Sequence, residues 1–138
     1  MFKTVLLISL SMVASTANAS SNFKCIVNDA YELNKKGKLE NGNDLTKSKI
    51  GKEFIVNRQS GQITGGGFVN TMSGQMPSVY KPEDTPVPSE NNYKAITIYK
   101  PHFTVDYLEI NEQIEGKEKP FIYKGAWGTI VTGICVYQ

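Results

Sequence analysis

Two cysteines, Cys25 and Cys135, stand close to the two ends of the chain once its first segment is set aside. In an oxidising compartment, two cysteines in a small domain pair with each other. Neither lies in a C-x-x-C motif and neither has a histidine near it in sequence, so redox catalysis and zinc ligation fit poorly. A bridge between them requires their Cα atoms to come within about 7 Å. The first and last strands must then be neighbours. With the ends joined in this way, either the two edges of a sheet would cover one another or the bridge would link two facing sheets.

The first 19 residues have the three regions of an export signal in order. Lys3 supplies the charge, an apolar run extends from Val5 to Val13, and Ala17-Asn18-Ala19 forms a small-x-small cleavage site. The apolar run is shorter than the roughly 18–20 residues that cross a bilayer, so a cleaved signal fits better than an anchor. Residues 20–138 are then a single β-rich domain, with no transmembrane segment after cleavage and a periplasmic or secreted location. The formal net charge of +2 argues against a dedicated nucleic-acid binder, whose footprint is strongly basic.

Strand signals dominate residues 20–138. Phe23, Cys25 and Val27 alternate with polar neighbours, and residues 54–58 and 62–64 flank a Gly61-containing turn that predicts a hairpin. Residues 95–99 alternate. In residues 103–110 the apolar phase switches from Phe103, Val105 and Tyr107 to Leu108 and Ile110, which predicts a bulge or a strand buried on both faces. Residues 121–123 and 129–137 complete the set, with Gly133 marking a bend or a close backbone approach. Only residues 29–39 have any helical character. The long segment 70–92 is proline-rich and reads as a functional or mobile loop. The fold class expected is all-β: a small antiparallel barrel or sandwich of about 6–8 strands, its terminal strands linked by a disulfide, with at most one short helix.

Few residues suggest chemistry. His102, the only histidine, would need Asp106 or Glu109 to orient it as a general base. Asp106 lies about 13 Å along an extended strand from it, and no nucleophile elbow is present. Gly65-Gly66-Gly67 lacks the Gly-Lys-Ser/Thr of a phosphate loop and reads as a turn. Glu109, Glu112, Glu115 and Glu118 recur every three residues, but Gly116 and Pro120 argue against a helix, and calcium needs a compact oxygen loop instead. No catalytic residue, metal site or cofactor is assigned. Charge is uneven: residues 20–58 carry eight basic and five acidic groups, and residues 102–120 carry two and five. Trp127, in a Lys124-Gly125-Ala126-Trp127-Gly128 turn, is either a binding anchor or a lid over the core. Trp127, His102 and Tyr80, the last within segment 70–92, are the ligand-binding candidates.

Several short segments also occur in a familiar order. Phe23-Lys24-Cys25 precedes Asp29-Ala30 and Gly37-Lys38-Leu39. Residues 51–58 (GKEFIVNR) then precede Ser60-Gly61, and Lys119-Pro120-Phe121 and residues 132–135 (TGIC) close the series. Together they resemble a group of small, uncharacterised exported proteins of Gram-negative bacteria. The resemblance implies an exported location and a β fold, and it carries no activity. An aspartate commonly stands in that pattern where this chain has Asn57, a departure that speaks against a catalytic carboxylate there.

The function expected is an exported, non-enzymatic binding module of the bacterial envelope. It would present loops 70–92 and 124–128 to a protein or envelope ligand. Two alternatives stand beside it. One is an inhibitor of a lysozyme-like hydrolase, although residues 73–77 (SGQMP) lack the tyrosine of one such inhibitory loop. The other is a small hydrolase using His102.

Overall fold

The computed structural model describes residues 21–84 and 92–138; the expected export signal and residues 85–91 of the expected 70–92 loop lie outside them. A long first strand, β1 (Phe23–Leu33), turns back into a short β2 (Leu39–Asn41). A one-turn helix α1 (Asp44–Lys47) leads to the hairpin β3 (Glu53–Val56) and β4 (Ile63–Thr64). β5 (Ser78–Tyr80), β6 (Tyr93–Tyr99), β7 (Thr104–Ile110), β8 (Lys119–Lys124) and β9 (Ile130–Tyr137) follow. Every pairing is antiparallel, in the order β4-β3-β1-β9-β8-β7-β6-β5, with β2 on the far end of β1. No helix among the described residues is long and apolar enough to cross a membrane.

The all-β expectation holds; among the described residues nine strands, rather than the expected 6–8, form one curled sheet. Cys25 and Cys135 are bonded and sit directly opposite each other on β1 and β9, with Cα atoms 4.0 Å apart. The terminal strands are therefore neighbours, as the cysteines required, but they lie inside the sheet. Its edges are β4 and β5, so the expected mutual cover of terminal edges is corrected. The one segment with helical character in the sequence, residues 29–39, is not the helical one. Residues 29–33 continue β1, because pairing Tyr31 with both Ile130 and Asn41 satisfies their backbone on two sides. The helix instead begins at Asn43, whose side-chain oxygen accepts from the Thr46 N–H at 2.9 Å and caps it. The hairpin of β3 and β4 is present, with Asn57 Oδ1 accepting the Gln59 and Ser60 N–H groups at 3.0 Å each. That turn is the role of Asn57.

Curling starts at a bulge. On β1, Phe23, Cys25 and Val27 face inward, then the register slips between Val27 and Asp29 so that Ala30 also faces inward. An extra residue on one strand raises the local twist and bends the sheet. Opposite it stands Gly133. A Cβ there would lie 1.9 Å from the Ile26 carbonyl oxygen and 2.8 Å from the Phe121 ring, so the close approach foreseen at this glycine is real. The bend carries the β1 side of the sheet round to the β6 side. Phe23 packs on Tyr93 with ring centroids 4.9 Å apart, and Phe68 meets Tyr123 edge-on at 5.4 Å.

β4 and β5 do not hydrogen-bond to each other across the seam; side chains close it instead. Asn70 is fully buried, accepts from the Ile63 N–H at 2.9 Å and donates to the Gly61 carbonyl at 2.8 Å. Its amide thus serves β4 as a substitute strand. The Asn70 carbonyl in turn accepts from the Thr97 hydroxyl of β6 at 2.7 Å. Gly61 has φ +75° and approaches Val79 so closely that a Cβ would fall 2.7 Å from its methyl.

At the opposite end of the barrel from the β8–β9 turn, Arg58 bonds both Glu83 and Glu112 at 3.1 Å, and Glu112 accepts from the Tyr137 hydroxyl. Burial, first, and neighbouring carboxylates push Tyr107 and Tyr137 up to about 12. Burial raises Tyr93, Tyr99 and Tyr123 further still. An acid whose folded pKa is raised keeps its proton in the fold after the unfolded chain has lost it. Stability is therefore full below pH ~10 and falls as pH rises through ~10 to 12 and beyond. A pH titration of ellipticity should show steep alkaline unfolding above pH ~10, with most tyrosinate absorbance appearing in step with it. Noncooperative ionisation of all the tyrosines near pH 10, in a protein that stays folded, would contradict this.

Candidate functional site

The β6–β7 turn, the β8–β9 turn and α1 gather at one end of the barrel. Between them lies a cleft of about 380 Å³. Leu45 of α1, Phe68, Val69 and Met72 of the chain after β4, and Trp127 form its apolar surface, and Lys49, Tyr123 and Asp106 add polar atoms.

Local sequence explains each position. Gly65, Gly66 and Gly67 all have positive φ, between +64° and +93°, and a Cβ on Gly66 would meet the Glu53 carbonyl oxygen at 2.8 Å. This glycine run forms a tight turn, as expected for it. The turn sends Phe68 into the core against Phe54, leaves Val69 half exposed at the rim, and returns Asn70 to the interior. Lys49 donates to the Gly67 carbonyl at 3.2 Å, with its ammonium 5.1 Å from the centre of the Phe68 ring.

Asp106 organises the other wall. It is 2 % exposed, and its carboxylate accepts hydrogen bonds from the Tyr99 hydroxyl, the Tyr123 hydroxyl (2.8 Å) and the Ala126 backbone N–H (2.8 Å). The third bond reaches into the β8–β9 turn, which is also closed by Gly125 N–H to Thr129 O at 2.8 Å and Gly128 N–H to Gly125 O at 3.0 Å. Trp127 sits at the tip of this braced turn and is 87 % exposed. At that exposure the indole is not a lid over the core. Replacing Asp106 by alanine leaves three donors without their acceptor and should cost about 2–3 kcal/mol. It should also speed hydrogen exchange at the Ala126 amide. An unchanged exchange rate there would refute the bracing role.

Other expected candidates are dispersed. His102 is exposed on the β6–β7 turn, whereas Asp106 points inward to Tyr99 and Tyr123, and Glu109 points outward to Asn92 and Tyr107. The three do not converge. Tyr80 is half exposed on the edge strand β5 and does not line the cleft. Of the spaced glutamates, Glu112 joins Arg58 and Tyr137, while Glu115 and Glu118 are exposed in the β7–β8 connection. The phase switch read in residues 103–110 also resolves differently. Phe103, at φ +58°, belongs to the turn, and from Asp106 onward alternate residues face inward without a bulge.

Asp106 was visible in the sequence as a polar residue in register with Leu108 and Ile110, the buried phase of β7. Leu45, Val69 and Met72 gave no comparable signal, because only the curl of the sheet brings α1 and the post-β4 chain to Trp127. Comparison with protein-family models, curated proteins and solved structures finds no match for this chain. The disulfide fits an oxidising, non-cytoplasmic compartment.

Proposed function

We propose that this protein is an exported, non-enzymatic binding module of the cell envelope whose ligand docks at the Trp127 cleft. The observation that carries this reading is a nearly fully exposed indole held on a turn by a buried carboxylate. Leaving a large apolar ring in water on a rigid mount is unfavourable for an isolated protein. It suits an interface anchor, whose ordering cost is met before the partner arrives. Leu45, 77 % exposed, and Val69 continue the apolar rim. The separation of His102 from Asp106 and Glu109 favours this reading over a hydrolase built on His102. The amino-terminal segment of the chain and its disulfide support export.

Capture from envelope extracts by the wild-type chain, by Trp127→Ala and by Tyr80→Ala tests the proposal. The expected result is a saturable species retained by wild type and Tyr80→Ala and lost with Trp127→Ala. Equal retention by all three would remove the cleft from the account.

A further inference from the structure

Resting on the binding reading above, we propose that the cleft receives a basic side chain, lysine or arginine, from a protruding segment of a protein partner. The buried carboxylate and the lining of the cleft both point to this guest. A carboxylate has about four lone-pair positions. Those of Asp106 take three hydrogen bonds, two on Oδ1 and one on Oδ2, and every donor is neutral. None of the ion pairs among the described residues includes Asp106. A buried carboxylate without a countercharge is unfavourable, and a cation brought in from outside offsets that penalty. An anionic guest would add to it, and a purely apolar one would leave it unchanged.

The exposed face of the Trp127 indole favours the same charge. Phe68, Tyr123 and Trp127 line the cleft, and Lys49 already holds its ammonium over the Phe68 ring. Leu45, Val69 and Met72 supply apolar surface for the methylene stem of such a side chain. The volume, about 380 Å³, is at the small end of the roughly 300–1,000 Å³ range of ligand pockets. It suits one long side chain. A free small molecule inside the cleft would leave the outer faces of Trp127 and Leu45 wet, whereas a protein surface carrying the inserted residue covers them.

Trp127 is the only tryptophan, so its emission reports on the cleft alone. The probes are capped peptides of four glycines around one central arginine, lysine, norleucine or glutamate, titrated into the full folded chain. Saturable emission changes are expected for arginine and lysine, with at least about fivefold tighter binding than for norleucine, and none for glutamate. The preference should weaken with added salt. Asp106→Asn retains acceptors for Tyr123 and Ala126 while removing the charge, and should bring arginine down to the norleucine level. Lys49→Gln removes a like charge at the rim and should tighten the arginine response, which decides the matter even where Asp106→Asn folds poorly. Norleucine binding as well as arginine would overturn the basic guest and leave the cleft as a binding site. No emission change with any peptide would overturn both.

Discussion

Replacing Cys25 and Cys135 together by alanine should lower the unfolding free energy by about 4–5 kcal/mol. The two residues are 110 positions apart, so the bridge removes the freedom of a very long loop from the unfolded chain. Both sulfurs are fully buried in the core between β1 and β9, and their loss also leaves a small void. The fold itself should survive. Eight register pairs hold β1 to β9, and the bridge reinforces a pairing that backbone hydrogen bonds and the inward Phe23, Val27 and Val131 already specify. Urea unfolding should therefore remain cooperative, with its midpoint lowered by roughly 2–4 M relative to the oxidised protein. A shift below about 0.5 M would mean that the bridge adds little to what the sheet already fixes.

Gly133→Ala should be comparably severe for a different reason. A methyl group there overlaps the Ile26 carbonyl oxygen at 1.9 Å and presses on the Phe121 ring at 2.8 Å. Because the first obstacle is backbone, no side-chain rotation relieves it, and β1 must separate from β9 beside its bulge. A loss on the order of 4 kcal/mol is expected, among the largest that single substitutions produce. That corresponds to a melting temperature lower by roughly 15 °C. Thr132→Ala, one residue away and facing outward, should cost less than about 1 kcal/mol. Equal effects of the two substitutions would show that the close approach at Gly133 does not hold the sheet's curvature.

These two positions also show how far the sequence could be read. The cysteines and Gly133 act through backbone proximity, which leaves a mark on the chain: paired thiols near its ends, and a glycine in the middle of a β-branched run. From them the neighbouring terminal strands and the close approach were legible. The position of those strands within the sheet was not. Neither residue says which strands flank β1 and β9, and the edges follow from the short β4 and β5 and from the seam built on Asn70. The helix is hard to locate in the sequence because the asparagine cap at Asn43 is a weaker signal than the apolar spacing of Ala30 and Leu33, whose segment is committed to pairing on two sides.

The site divides in the same way. Trp127 stood out because tryptophan on a glycine-flanked turn is unusual in itself. His102 and Tyr80 stood out by residue type alone, and the fold keeps both out of the cleft. In the sequence Asp106 reads first as a distant partner for His102, while its registry with Leu108 and Ile110 marks it as an interior residue needing donors. Those donors come from Tyr99, Tyr123 and the backbone of Ala126, three segments that only the β6–β7–β8 pairing brings together.

The proposed function puts a partner at the Trp127 cleft. Site-specific photocross-linking in the producing cell tests it most directly, with the reactive group placed in turn at Leu45, Val69, Ile122 and Tyr80. Leu45 and Val69 lie on the cleft rim, Ile122 on the outer face of β8, and Tyr80 on the edge strand β5. One saturable adduct is expected from Leu45 and Val69, competed by excess wild-type protein but not by Trp127→Ala. Adducts from Ile122 or Tyr80, with none from the rim positions, would contradict it.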